Sequence, residues 1–271
     1  GTNSFNDYMS AFGLSSKTGV DMTGETSGIF IARNLVKNVD LARIGFGQAV
    51  AVTPIGLLAA TSSVVNGGVK VTPHVMNEIK SANGTVASYG ISGGERVVSE
   101  QTSKTMCELL QRVVTTGSGK GAYVPGYKIL GKTGTAQKYE NGQIARGKYI
   151  SSFLGFSVSE GANYGVLFIV DEPKGYMYYG SLVAAPMVGD IFESMFAYLG
   201  TEPCYTGQEE SIIGKEFILP SFEGLSLIEA KNQLRKLGLY VETDGDGDVV
   251  KGQYPLGGVK VDKRNTVLLL T

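Results

Sequence analysis

Between Tyr127 and Asp171 three strand-like segments follow one another: 127–137, 148–158 ("KYISSFLGFSV") and 163–171 ("NYGVLFIVD"). Short polar turns separate them, one of them "ENGQ". A parallel crossover needs a dozen or more residues, usually a helix, so connections this short force an antiparallel meander. Helical segments flank it. At 53–68, "TPIGLLAATSSVVNGG", Thr53 is a good N-cap, Pro54 suits the first helical position and Asn66-Gly67-Gly68 is a stop. Over 99–115, Met106, Leu109, Leu110 and Val113 recur at helical spacing. Pro186 opens a further helix with Val188, Ile191, Phe192, Met195 and Leu199 on one face, closed by Gly200. Residues 1–13 lean towards helix, 15–30 are turn-rich, and "HVMNEIKSANGTVASYGI" reads as a hairpin turning at Asn83-Gly84. The fold class expected is α/β (α+β), an antiparallel sheet flanked by helices.

Composition shifts at 201–217, which reads as a linker, and divides a large region, 1–200, from a compact unit, 218–271. In that unit "FILPSF" leads into a helix whose N-terminus carries a capping box, Ser226 and Glu229. Ala230, Leu234 and Leu237 supply its apolar face, Gly238 stops it, and two more strands end at "NTVLLLT", a β-α-β-β module. Hydrophobic content of 42% with 18% charged residues is that of a folded chain. A net charge of −1 with mixed signs gives no footprint for nucleic acid. A single histidine, His74, excludes a multi-histidine metal site and reads as structural. Cys107 and Cys204 form no C-x-x-C pair, and their spacing leaves open whether they bond. No apolar run approaches the ~20 residues that cross a bilayer. "GTNSFNDYM" does not read as a native start, so a fragment of a longer protein is expected.

"GYKILGKTGTAQ", 126–137, fits two catalytic patterns. Gly126 to Thr133 satisfies G-x-x-x-x-G-K-[ST], the phosphate-cradling P-loop, with "VLFIVDE" beyond it resembling a Walker B strand. Lys132-Thr133-Gly134 is also one of the motifs of the serine enzymes that penicillin acylates. The P-loop needs an anion nest handing phosphate to a helix that starts near Thr133. Here the variable positions, Tyr-Lys-Ile-Leu, favour extended chain, and "KYENGQIARG" follows as a turn. The second reading needs an edge strand, to which an extended peptide could add. Gly134 would permit close backbone approach, Lys132 would supply positive charge, and the hydroxyls of Thr133 and Thr135 would donate to a carboxylate. The tripeptide alone says little, since Lys17-Thr18-Gly19 repeats it in a turn-rich stretch.

Longer motifs carry a resemblance. "FNDYMSAFGLSSKTGVDMTGE", "GFGQAVAVTPIGLLAATSSVVNGGVKVTPHV" (with Gly56 where a Gln is usual), "GKTGTAQ" and "DEPKG…YGSLVAAPMVGDIF" follow in order. Together they make residues 1–200 similar to the C-terminal part of the transpeptidase domain of class B penicillin-binding proteins. "LPSFEGLSLIEAKNQLRKLGL" and "GQYPLGGVKV" make 218–271 similar to a PASTA domain. One such module with "GKTGTAQK…DEPKG" is most like the sporulation members, which act in spore cortex synthesis.

The resemblance implies a D-Ala-D-Ala transpeptidase acylated by β-lactams. Its stem-peptide substrate would be held by Lys132, Thr133, Gly134 and Thr135, with neither metal nor other cofactor. It also implies an N-terminal membrane anchor, absent here, with the domain outside the cytoplasm, at the forespore membrane in a sporulation-specific enzyme. The family's nucleophile comes from Ser-x-x-Lys, which occurs nowhere in these 271 residues. Ser-x-Asn occurs at Ser4-Phe5-Asn6 and Ser81-Ala82-Asn83, neither in the right place, and family order puts both missing motifs upstream. The upstream part of the same protein is thus an implied partner, and this chain alone is expected to be inactive. A non-catalytic cell-wall-binding scaffold and a P-loop NTPase stand as alternatives. Asp244–Asp248, "DGDGD", lacks the EF-hand's Gly and Glu and reads as a polar turn. The Gly-rich stretch 115–122 reads as a helix stop and loop, with a mobile rim of the cleft as the alternative, and nothing gives Ser118 a base.

Overall fold

The computed structural model describes residues 1–89, 94–140, 143–159, 162–175 and 177–271. They fall into two compact units, Gly1–Cys107 and Glu108–Thr271.

The first unit holds helices α1 (Thr2–Ala11), α2 (Asn38–Gly45) and α3 (Pro54–Val65), then strands β1 (Glu78–Ser81) and β2 (Gly84–Ser88). Thr53 caps α3 by accepting from the Gly56 amide at 3.2 Å. The β1–β2 hairpin pairs Ser81 with Gly84, so its turn is Ala82-Asn83 and not Asn83-Gly84. Gly84, at φ +121°, is the first residue of the returning strand. Helix α2 follows the turn-rich stretch in a region that carries little apolar periodicity. The decoy Lys17-Thr18-Gly19 lies outside any strand, with the Thr18 amide and hydroxyl both donating to Glu25 at 2.6 Å. His74 is exposed, its Nδ1 2.9 Å from the Met76 carbonyl oxygen.

Helix α4 (Glu100–Thr115) begins in this unit and ends in the second. Its buried stripe keeps three of the four apolar residues read from the spacing, Met106, Leu110 and Val113, all half-buried, and adds two others. Ser103 and Val114 are buried, whereas Leu109 is half exposed. Ser103 is polar but satisfied, donating to the Val64 carbonyl at 2.6 Å and accepting from the Gly67 amide at 3.1 Å. The Cys107 thiol lies 3.8 Å from the Val65 carbonyl oxygen.

In the second unit β3 (Ile129–Glu140), β4 (Gln143–Ser159) and β5 (Ala162–Asp171) form the antiparallel meander in the order β3-β4-β5. Residues Asn141 and Gly142 of the "ENGQ" turn lie outside the described residues. Helices α5 (Gly180–Val183) and α6 (Ala185–Leu199) then cover the sheet. By length and composition Gly180–Leu199 would suffice to cross a bilayer, a stretch more apolar than the sequence reading allowed. Yet Val188, Phe192 and Phe196 are fully or almost fully buried in a core with Ile129 and Phe153 of the sheet. Each such side chain contributes ~1.5–3 kcal/mol by leaving water. That burial explains the composition as core helix.

The expected linker contains a short helix, α7 (Glu209–Ile213), before β6 (Phe217–Ile218). Helix α8 (Leu227–Leu237) has the capping box: Ser226 Oγ accepts from the Glu229 amide, and Glu229 accepts from the Ser226 amide. It ends at Gly238 in the left-handed conformation, φ 76°, which glycine adopts without steric cost. Beyond it come β7 (Tyr240–Asp244), β8 (Gly252–Tyr254), β9 (Lys260–Val261) and β10 (Thr266–Leu270). Strand β10 is central, parallel to β7 and antiparallel to β8, while β6 pairs with β9. The module therefore has two short strands, β8 and β9, beyond the β-α-β-β pattern read from the sequence. Ala230, Leu234, Val267 and Leu269 are fully buried in its own core. Asp244–Asp248 is the end of β7 and the turn after it, with Gly245 and Gly247 closely backed by Thr271.

Candidate active site

Lys132, Thr133, Gly134 and Thr135 are consecutive on β3, opposite Leu154, Phe153, Ser152 and Ser151 of β4. Strand β3 runs unbroken from Ile129 to Glu140, so no helix begins at Thr133 and the phosphate-loop reading fails. Among the described residues β3 pairs with β4 alone in its sheet and is an edge strand. Burial changes at the motif: Ile129, Leu130 and Gly131 are buried, Lys132 is exposed, and Thr133 to Ala136 are half-buried. The strand is thus anchored at its N-terminal end by core packing and reaches solvent at the motif.

Two neighbours fix the threonine hydroxyls. Thr135 Oγ1 accepts from the Gly180 amide at the start of α5, at 3.0 Å. A hydroxyl that accepts one bond still has its own proton to donate. Thr133 Oγ1 lies 3.1 Å from Ser118 Oγ, in the loop after α4. The Lys132 ammonium donates to the Thr133 carbonyl at 2.8 Å. Gly180 belongs where it is because nothing larger fits. A Cβ there would sit 2.5 Å from the backbone oxygens of both Gly134 and Ser152. Ser151 extends the same attachment, its hydroxyl donating to the Tyr178 carbonyl. No contact of Ser118 or Gly180 with the motif strand was legible in the sequence. Both are brought to it by tertiary packing, the signals being the Gly-rich stretch 115–122 for Ser118 and the motif "YGSLVAAPMVGDIF" for Gly180.

Comparisons with known proteins identify the family and the fold. The model for the penicillin binding protein transpeptidase domain matches residues 1–193. The chain belongs to the penicillin-binding protein transpeptidase family. A PASTA domain model matches residues 217–271. Stage V sporulation protein D of Bacillus subtilis is 36% identical over 265 residues, covering 96% of this chain and 41% of that protein. Peptidoglycan D,D-transpeptidase FtsI of Escherichia coli K12 is 27% identical over 228 residues, covering 80% and 35%. Among solved structures, penicillin-binding protein 3 of Mycobacterium tuberculosis complexed with ampicillin superposes with a TM-score of 0.67 at 25% identity, covering 76% of this chain and 48% of that one. The chain spans less than half the length of these proteins.

In this transpeptidase-family chain the PASTA strand β7 lies against the elements that hold the motif strand. Ser181 Oγ donates to Glu242 at 2.9 Å, the Tyr178 hydroxyl to Asp244 at 2.8 Å, and the Tyr179 hydroxyl to the Thr243 carbonyl at 2.8 Å. Tyr149, Tyr178 and Tyr179 stack in sequence, with centroids 3.9 and 4.6 Å apart. Burial pushes both donor phenols up, Tyr178 far up, so they stay protonated and donate. Burial also raises the Glu242 carboxyl, against the opposing pull of the Ser181 bond and the Lys132 charge. At the far end of the sheet Lys138 bridges Asp171 at 2.9 Å and Glu172 at 2.7 Å, which raises the ammonium's pKa and lowers that of Glu172. That cluster is solvent-facing and helps set strand register.

Proposed function

We propose that this chain is the C-terminal portion of a peptidoglycan D,D-transpeptidase whose substrate-binding strand is β3 from Lys132 to Thr135. The observation that carries the reading is the exposed edge of β3, where the Gly180 amide holds the Thr135 hydroxyl in place while leaving its proton free to donate. A stem peptide ending in D-Ala-D-Ala would add along this edge as an extended segment. Its terminal carboxylate would accept from Thr133 and Thr135 beside the positive charge of Lys132. At Gly134 an added Cβ would fall 2.5 Å from Ser152 Oγ of β4, so a glycine there keeps β3 seated against its partner strand.

The acylated serine is one that this chain does not contain in the family's Ser-x-x-Lys form. Its hydroxyl would attack the penultimate D-Ala carbonyl. The terminal D-Ala would leave with a proton, and an amine from a neighbouring stem peptide would resolve the ester. β-Lactams would open on the same serine and stay bound as the acyl-enzyme. The part played by β3 is to fix the carboxylate, so that the reacting carbonyl is held in line. The similarity to Stage V sporulation protein D supports a role in sporulation, and on this reading, as the family resemblance implies, the enzyme serves spore cortex synthesis from the outer face of the forespore membrane, held by an N-terminal anchor.

Thr135→Val tests the strand's role in the protein that carries both this chain and the serine. The variant keeps the shape of the side chain and removes both the acceptor of the Gly180 amide and the proposed charge-assisted hydrogen bond to the carboxylate, the latter alone worth ~1.5–3 kcal/mol. The second-order acylation rate by a fluorescent penicillin is expected to fall roughly 10- to 100-fold, with Thr135→Ser restoring it. An unchanged rate in Thr135→Val would remove the role assigned to that hydroxyl.

A further inference from the structure

Away from the motif strand, α8 of the PASTA module and the loop after α4 enclose a cavity of about 520 Å³. Its wall holds Lys120, Lys231 and Arg235 together with Thr116, Gly238 and Tyr240, and no carboxylate. Lys231 and Arg235 are one helical turn apart on α8, so both project to the same side. Among the described residues no carboxylate forms an ion pair with any of the three cations. Lys120 is 92% buried, and its ammonium donates to the Gly238 carbonyl at 2.7 Å. The nearby carboxylate of Asp262 is already engaged, accepting from Arg264 Nε at 3.0 Å and Nη2 at 2.7 Å. Lys263 adds a further positive charge close by, and together with burial it disfavours the charged form of Lys120.

Like charges gathered in a half-enclosed space repel one another, and for Lys120 burial and the Lys263 charge outweigh the favourable pull of Asp262. Of the three cations Arg235 is exposed and Lys231 half-buried on α8, whereas Lys120, from the loop after α4, is drawn inside. The arrangement becomes favourable when an anion enters, because each cation then gains a charge-assisted hydrogen bond at low local dielectric. The volume suits a small ligand.

We propose that this cavity binds a small ligand bearing two or more oxyanion groups, phosphate or carboxylate, held by Lys120, Lys231 and Arg235. Lys120 meets the innermost oxygen, and the guanidinium of Arg235 presents a fork to the outer group. The Thr116 and Tyr240 hydroxyls border the same space. The site is independent of the acyl-transfer reading, because none of its residues lies on β3.

Inorganic pyrophosphate and citrate are the probes, titrated separately by calorimetry into this chain at low salt. At least one is expected to bind saturably, and which one does assigns the phosphate or the carboxylate class. Lys231→Ala and Arg235→Ala are each expected to weaken that binding roughly tenfold or more while leaving the melting temperature in place. Lys251→Ala, an exposed lysine outside the cavity wall, should leave it unchanged. Failure of both probes to bind saturably at millimolar concentration would overturn the proposal. So would binding that both α8 variants leave intact.

Discussion

Gly180→Ala is expected to lower the rate of penicillin acylation on the order of 100-fold in the protein that carries the reactive serine. The added Cβ would fall 2.5 Å from the Gly134 and Ser152 carbonyl oxygens, which are backbone atoms of two paired strands and have no rotamer to escape into. Something larger than a side chain must move. Either α5 lifts away or β3 shifts relative to β4, and both break the bond from the Gly180 amide to Thr135 Oγ1. The overpacking itself costs ~1–3 kcal/mol, or roughly 2–12 °C of melting temperature for a unit of this size. The expected signature is therefore a large loss of rate with a modest loss of melting temperature. A rate within about threefold of the parent would show that the α5 contact does not position the motif.

The second large effect concerns stability. Phe153 sits directly opposite Thr133, fully buried, with its ring against Gly119 and Gly131. Three small residues, Gly119, Gly131 and Gly155, crowd the ring because a Cβ at any of them would touch or overlap a core aromatic. Neighbours that lack side chains cannot close the space left by Phe153→Ala. The cost is expected near the usual range for such truncations, ~3–5 kcal/mol. For a unit of this size that corresponds to a fall in melting temperature of roughly 6–20 °C. A fall of a degree or two in scanning calorimetry would mean that the site collapses and that the ring is not what supports β3. Phe153 and Gly180 thus separate two contributions to one site, one holding the strand in the core and the other aiming a hydroxyl.

Much of this was legible because local chemistry and tertiary role coincide. The Thr53 cap, the Ser226–Glu229 capping box and the Gly238 stop are satisfied by residues within four positions, so sequence spacing reports them directly. The meander was legible because short connections leave one topology. Where the reading slipped, the deciding atoms are remote. The buried stripe of α4 passes through Ser103, whose polarity hides it, and what makes it buriable is the carbonyl of Val64. The hairpin at 81–84 closes one residue earlier than Asn83-Gly84 suggests, because Gly84 supplies its positive φ as a strand residue. Strands β8 and β9 are two or three residues long, too short to show a period, and exist through pairing with β10 and β6.

The candidate site divides the same way. Lys132 to Thr135 stood out from their own order and from the extended residues before them. Ser118 stood out in a Gly-rich stretch, but its contact with Thr133 came into view only with the fold. Gly180 looked like one glycine among 38 until the strand beneath it was in place. The basic cavity beside α8 needed the fold as well, because Lys120 and Arg235 are far apart in sequence and the clamp on Asp262 is invisible there.

The central claim is that β3 binds the substrate's carboxylate. It is tested most directly by the crystal structure of a penicillin adduct of the protein that contains both this chain and the acylated serine. The account predicts the drug carboxylate within about 3 Å of Thr133 Oγ1 and Thr135 Oγ1, with the amide side chain of the drug paired along the β3 edge. A carboxylate bound elsewhere, with both hydroxyls still facing Ser118 and Gly180 alone, would contradict it.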